Sequence, residues 1–354
     1  MPGVFCMPGM GERAYAYSKS CGIIGKSFLG KRLRGLEKVT RLSELDRMVF
    51  PMSSRDLPEK ELLHDLEKRI TGRAVNSIIS IVESFSRVPE FLVLLLRSYE
   101  YADLKSAVIA SLEREKSAPF HTDLGVFQKV HFDAWPDIGA MVEGTEFVFL
   151  LDKKVINIEK QDLVDIQTLL DRHYYNALWK SLFSLPPGDR RAAARILSDE
   201  ISLRNSSWVL RLRTYYGMKP EEVMPHLINI SAKVKGSLNE KSVSRSLADE
   251  ALQCLEYPLD NLSAFSSWRW NEFLNSDSGV GHWHADPRHF QNAASQYLYR
   301  LARHYFRLKP FSLDTIFCFI KLKQFEEDIL ISSAEGLGMS MSSRDIFSLM
   351  GVES

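Results

Sequence analysis

The sequence predicts an all-α fold, and three observations carry that prediction. Apolar residues recur at helical spacing through most of the chain, strand signals are confined to two short runs at residues 147–151 and 155–158, and three helical segments look like copies of one another. Neither short run has hairpin chemistry beside it. With 354 residues, the chain has room for two or three domains or for one repeat-built body.

In chain order, Pro58 suits the first turn of a helix, after which Leu62, Leu63, Leu66 and Ile70 share one face, as do Val75, Ile78, Ile79 and Val82. The first hundred residues therefore read as helices. Leu163, Ile166, Leu169, Leu170, Tyr174, Ala177 and Leu178 form a further stripe, which Pro186, Pro187 and Gly188 stop. Tyr216-Gly217-Met218-Lys219-Pro220-Glu221-Glu222 reads as a turn opening a helix, with Pro220 in its first turn and two acids at its positive end. In residues 277–288, Ser, Asp, Gly and His break any period, and an exposed loop is expected.

The self-similar segments are residues 95–105, 197–207 and 321–331. Aligning Glu100 with Ser202 and Glu326 brings Asp103, Asn205 and Ile329 together three residues on. Gly338-Met339-Ser340-Met341 follows the third segment at nearly the distance at which Gly217-Met218 follows the second. This predicts three degenerate helical units, residues 1–133, 134–235 and 236–354, the alternative being that three leucine-rich helices align by chance. Polar residues at positions i and i+3 share a helix face, so the pairs Glu100/Asp103 and Ser202/Asn205, with Glu326 at the aligned position of the third segment, have two readings. They could grip a partner, or they could bond to nearby backbone and fix the packing.

Composition excludes several classes. Lys plus Arg and Asp plus Glu each number 45, so no positive field gathers phosphates and nucleic acid is not an expected partner. No apolar run approaches the roughly 18 to 20 residues that span a bilayer. Glu12, Arg13 and the early prolines argue against a signal peptide. The four cysteines, Cys6, Cys21, Cys254 and Cys318, include no CxxC pair, which reads as a reducing, cytoplasmic compartment.

The motifs do not add up to a catalyst. Gly22-Ile23-Ile24-Gly25-Lys26-Ser27 is close to the end of a phosphate-binding loop, but the glycine required five residues before Gly25 is Ser20. These glycines, with Gly30, are better read as places where a helix bends or packs closely. His282, His284, Asp286 and His289 are the best metal constellation available, in spacing that lacks a helical pair. There is no GxSxG elbow and no HExxH helix, and Glu326 and Glu327, being adjacent, point in different directions. No catalytic, cofactor-binding or metal residue is assigned, and no small-molecule substrate is expected. A metal hydrolase using His282, His284 and Asp286, and a helical-repeat adaptor, remain alternatives.

Several of these segments, in their order and spacing, resemble one family: the central-stalk C subunit of prokaryotic V-type ATPases, whose equivalent in the vacuolar enzyme is the d subunit. They are Tyr15-Ala16-Tyr17-Ser18, the stretch 197–223, Leu322-Lys323-Gln324-Phe325-Glu326, and Gly336-Leu337-Gly338-Met339. The chain departs from the family where Ser202 replaces the central acid of the second unit and where 20–24 lacks an Arg-Val-Arg stretch. The resemblance implies a pseudo-threefold cup or funnel, peripheral on the cytoplasmic face of the membrane and without an active site. Its implied partners are the shaft subunits D and F and the membrane proteolipid ring, whose rotation it would couple for proton or sodium transport. Trp268, Trp270, Phe273 and Trp283, expected to be exposed on loops, are candidates for partner contact alongside the repeat-centre residues.

Overall fold

A computed structural model describes residues 8–152, 163–230, 246–276 and 282–349, and among them there is no β-strand. The fold is all-α, as the periodicity predicts. The run 155–158 lies outside the described residues. The run 147–151 is not a strand. It belongs to a 3₁₀ helix, Glu146–Leu151, whose start Thr145 caps by accepting the Phe147 N–H.

The helices are α1 (Met10–Ile24), α2 (Leu42–Val49), α3 (Glu59–Val82), α4 (Glu90–Leu96), α5 (Ser98–Leu112), α6 (Ile138–Val142) and α7 (Leu163–Ser184). They continue with α8 (Pro187–Tyr216), α9 (Pro220–Val223), α10 (Asp249–Glu256), α11 (Pro287–Leu308), α12 (Leu313–Gly338) and α13 (Ser343–Leu349). Pro186 and Pro187 do more than end a helix. Pro187 opens α8, where its missing N–H costs nothing and its fixed φ is already helical. Gly217, at φ 62°, then closes α8 in the left-handed conformation that favours glycine.

The chain divides into two compact units, the first comprising residues 1–92, 191–193 and 292–354. Its axis is α12, with buried residues on every side, as expected of a helix surrounded by protein. α12 packs along α3 and also meets α1, α2 and α13. Leu33, Leu36, Leu45, Leu66, Ile70, Ile329 and Ala334 belong to this core. Residues 191–193 join it because Asp314, buried near the start of α12, accepts the Ala192 N–H at 3.1 Å and the Ala193 N–H at 2.9 Å.

The second unit comprises residues 93–190 and 194–291. α5 packs on α7 through Tyr101, whose ring meets Phe147 edge to face at 4.8 Å and whose hydroxyl lies 2.7 Å from His173 Nδ1. A second aromatic cluster joins Phe265, Trp268 and Phe290.

The close approach of α12 and α13 explains the glycine in Gly336-Leu337-Gly338-Met339. A Cβ at Gly336 would lie 2.5 Å from Ile346 Cγ1, and a β-branched side chain on the facing helix cannot easily turn away. Gly336→Ala is expected to lower stability by about 1 kcal/mol, overpacking outweighing the gain in helix propensity. Gly72→Ala in α3, where the new methyl meets nothing within 4 Å, is the control and should raise it. Urea denaturation of both variants checks this, and a gain for both would show that α13 yields freely.

Candidate functional site

The repeat-centre residues lie on helices, Glu100 in the first turn of α5 and Ser202, Asn205 and Glu326 within the longer α8 and α12. On α5, Glu100 is fully buried. One carboxylate oxygen accepts the N–H groups of Lys129 and of Val130, the latter at 2.7 Å, and the other pairs with Arg97 Nε at 2.6 Å. Arg97 also pairs with Glu146. One turn along α5, Asp103 accepts the Thr122 N–H at 2.7 Å. These two acids therefore fasten a loop lying some 20 to 30 residues downstream.

On α8 the same task falls to an amide. Asn205 takes the Ile228 N–H at 2.8 Å and donates to the Ile228 carbonyl at 2.9 Å, as a neighbouring strand would. Ser202, buried one turn earlier, accepts the indole N–H of Trp270 at 3.0 Å.

Glu326 on α12 is buried in the first unit beside Lys323, with which it forms an ion pair. Its other oxygen accepts the Phe28 N–H at 2.7 Å, and Arg73 Nη2 stands 3.8 Å away. Burial by itself would raise the Glu326 pKa. Lys323, the Phe28 N–H and Arg73 together outweigh it and hold the carboxylate below its usual range. All three aligned residues thus serve their own chain by binding a distant segment, and none of them presents a polar patch at the surface.

Asp103 differs from Glu326. Burial raises its pKa to about 6 despite the Thr122 N–H. Between the ordinary aspartate pKa of 3.8 and 6, the folded chain therefore holds more protons than the unfolded one, and stability falls as pH rises through that window. Asp103→Asn, which keeps an acceptor for Thr122, should flatten the profile of melting temperature against pH between 4 and 6. Unchanged slopes would show that Asp103 titrates normally.

The tryptophans correct an expectation. Trp268 and Trp270 are buried, not exposed. Their backbone is irregular, as expected of loops, but each indole N–H finds an internal acceptor, which lets the ring enter the core. Trp268 donates to the Glu250 carbonyl at 2.9 Å and stacks on Phe290, and Trp270 donates to Ser202 and stacks on Phe273. Phe273 is half-buried. Trp283 is half-buried too, donating to the Asn275 carbonyl at 3.0 Å.

Residues 277–281 of the expected loop lie outside the described residues, and its last two, Pro287 and Arg288, already belong to α11. Asp286 caps that helix by accepting the Arg288 N–H at 2.8 Å, which gives the carboxylate a structural task. Among the described residues, no group of three or more His, Cys, Asp or Glu is placed to hold a metal.

Sequence reasoning passes over a cleft in the first unit. About 780 Å³ in volume, it lies between α1, the 3₁₀ helix Gly30–Lys38 and α11. Tyr17, Tyr299, Phe306 and Leu322 give it an apolar lining. Lys31, Arg32, Arg303 and Arg307 add four cations, and no carboxylate lines it. The signal is present as arginines four apart on α11 and a Gly-Lys-Arg-Leu-Arg run, but the neutral total charge conceals it.

Comparison with known proteins bears on most of the chain. A family model described as ATP synthase (C/AC39) subunit matches residues 53–347. An uncharacterized protein of Treponema pallidum is 27% identical over 325 residues, covering 91% of each chain. The C subunit of the A-type ATP synthase of Methanosphaera stadtmanae is 20% identical over 335 residues, covering 91% of this chain and 83% of its own. That of Methanosarcina mazei is 25% identical over 223 residues, covering 57% of each.

Proposed function

The chain belongs to the ATP synthase (C/AC39) subunit family, and from that premise we propose that it is the central-stalk rotor subunit of a V-type ATPase, joining the shaft subunits D and F to the membrane proteolipid ring. The observation that carries the reading is the extent of the match, 53–347, supported by relatives named as the C subunit of A-type ATP synthases that align along the same chain. The role is mechanical and non-catalytic: torque from the ATP-hydrolysing sector turns the ring that carries protons or sodium ions. The protein works on the cytoplasmic face, held to the membrane through its partners. No helix among the described residues is long and apolar enough to cross a membrane.

The cup of three helical units, 1–133, 134–235 and 236–354, is part of this proposal. In its favour, the aligned positions Glu100, Ser202 and Glu326 all fall in helices, are all buried, and each receive a donor from a distant segment. A torque joint has to resist slipping, and fastening loops to buried helix positions stiffens the elements behind the contact surface. Partner contacts require accessible side chains. With Trp268 and Trp270 buried, they fall to residues such as Trp283 and the exposed pair Tyr215 and Tyr216 at the end of α8.

Affinity purification of the tagged chain from mildly solubilised native membranes, with mass spectrometry, tests the reading. Catalytic subunits, shaft subunits and a small proteolipid are expected together. Recovery of soluble proteins alone would overturn it in favour of a helical-repeat adaptor.

A further inference from the structure

The four cations of the cleft are kept at the surface by the elements that carry them. In the 3₁₀ helix Gly30–Lys38, three residues make a turn, so Leu33 and Leu36 enter the core together and Lys31 and Arg32 are left exposed. Gly30 has φ 57°, and a Cβ there would lie only 3.6 Å from Arg303 Nη2, so the guanidinium lies close over the turn. On α11, Phe306 is buried while Arg303 and Arg307, one turn apart, stay on the exposed side. Arg32 donates to the Lys26 carbonyl at 3.2 Å. Lys31, Arg303 and Arg307 have no carboxylate partner among the described residues.

The floor between these charges is apolar and firm. Tyr299 stacks on Phe325 at 4.3 Å, and Tyr17 meets Phe306 at 6.0 Å and Phe311 edge to face at 5.5 Å. We infer that this cleft binds an acidic segment of a protein partner, carboxylates engaging Lys31, Arg32, Arg303 and Arg307 while an apolar side chain of the segment seats against Tyr17, Tyr299 and Phe306.

Charge and shape together select this occupant. Unpaired cations facing one cleft repel one another, and a carboxylate-bearing ligand relieves that repulsion and steers itself in. A small phosphate compound calls for convergent, sheltered donors such as a run of backbone N–H groups, whereas these cations are exposed and borne by two separate elements. A bilayer surface calls for cations on a projecting face, and these surround a concavity. A peptide with acids on either side of an apolar residue satisfies the charges and the floor at once.

The test uses the full chain and a fluorescein-labelled peptide, Asp-Glu-Phe-Glu-Glu-Leu-Asp, followed by fluorescence anisotropy. The acidic peptide is expected to bind at least about tenfold more tightly than its Asn/Gln counterpart, with affinity falling as salt is added. The double variant Arg303→Glu/Arg307→Glu should weaken binding by a similar factor, whereas Arg87→Glu, an exposed arginine elsewhere in the same unit, should not. Hydrogen exchange should show protection at residues 17–32 and 299–307. Should the reversed variant fold poorly by its melting curve, Arg303→Gln/Arg307→Gln replaces it. Equal binding of the two peptides, or indifference to the arginine changes, would overturn the inference. So would vesicles containing phosphatidylglycerol, or tripolyphosphate, protecting these residues when the peptide does not. The outcome is independent of whether the chain turns in a rotor, because membrane proteins are not needed for it.

Discussion

Glu326→Ala is expected to cost about 3–5 kcal/mol of stability, because it leaves the Lys323 ammonium buried without its partner and the Phe28 N–H without its acceptor. Burial already pulls the Lys323 pKa down, with Glu326 the principal force opposing it. Once Glu326 is removed, the lysine must either lose its proton or draw in water. The segment after α1 should then loosen, which hydrogen exchange would register as lost protection around Phe28 along with a lower urea midpoint. Lys323→Met/Glu326→Leu distinguishes the cost of a broken pair from the worth of an intact one. With both charges gone and similar volume kept, the double variant should lie within about 1–2 kcal/mol of wild type. A double variant as unstable as Glu326→Ala would mean that the Phe28 hydrogen bond, and not the stranded lysine, sets the cost.

The sign of the pH dependence follows from the direction of the shift. The folded pKa of Glu326 is lower than its unfolded value, so the stability it supplies is complete above the ordinary glutamate range and is lost as pH falls through the folded pKa. Lys323→Met/Glu326→Leu should lack that component of acid sensitivity.

Much of the helical framework is legible because long apolar stripes admit one periodic reading. α3 and α7 are visible in their leucine and isoleucine spacing, and the self-similarity of the three segments singles out Glu326. The run 147–151 is ambiguous, since five apolar residues suit a strand, a buried turn or a 3₁₀ helix equally, and only packing decides. The tryptophans mislead for a different reason. Irregular backbone suggests exposure, yet Trp268 and Trp270 enter the core by donating to Glu250 and Ser202, partners that spacing along the chain does not reveal. The glycines in and after the last turn of α1 read as aids to bending or close packing. Gly25 caps the helix and Gly30 provides a positive φ, while a Cβ at Gly22 would meet nothing within 4 Å. The cleft draws its cations from opposite ends of the chain, so no local window contains it.

Glu100→Ala is the companion expectation in the second unit, and it separates two explanations of the repeated polar position. Were Glu100 simply a counter-ion to Arg97, its removal would be softened, because Arg97 retains Glu146. The backbone account predicts more. The N–H groups of Lys129 and Val130 both lose their acceptor, Val130 in a buried setting, and Arg97 Nη2 already has no hydrogen-bond partner among the described residues. At about 1–3 kcal/mol for each orphaned buried donor, a loss of about 3–4 kcal/mol is expected. Glu100→Gln keeps a carbonyl oxygen where one carboxylate oxygen stood, and so should recover about half of it. Hydrogen exchange at residues 128–131 supplies the local readout: faster exchange there with α5 still protected means that the acid fastens the loop. Uniform loosening of α5 and the loop would instead make Glu100 part of the ion cluster alone. Asn205→Ala repeats the experiment on α8 without any charge, since it abolishes both hydrogen bonds to Ile228. Faster exchange confined to the segment around Ile228 would then tie the aligned helices to one physical device, in which a polar side chain inside the helix serves as the docking point for backbone that has no ladder of its own.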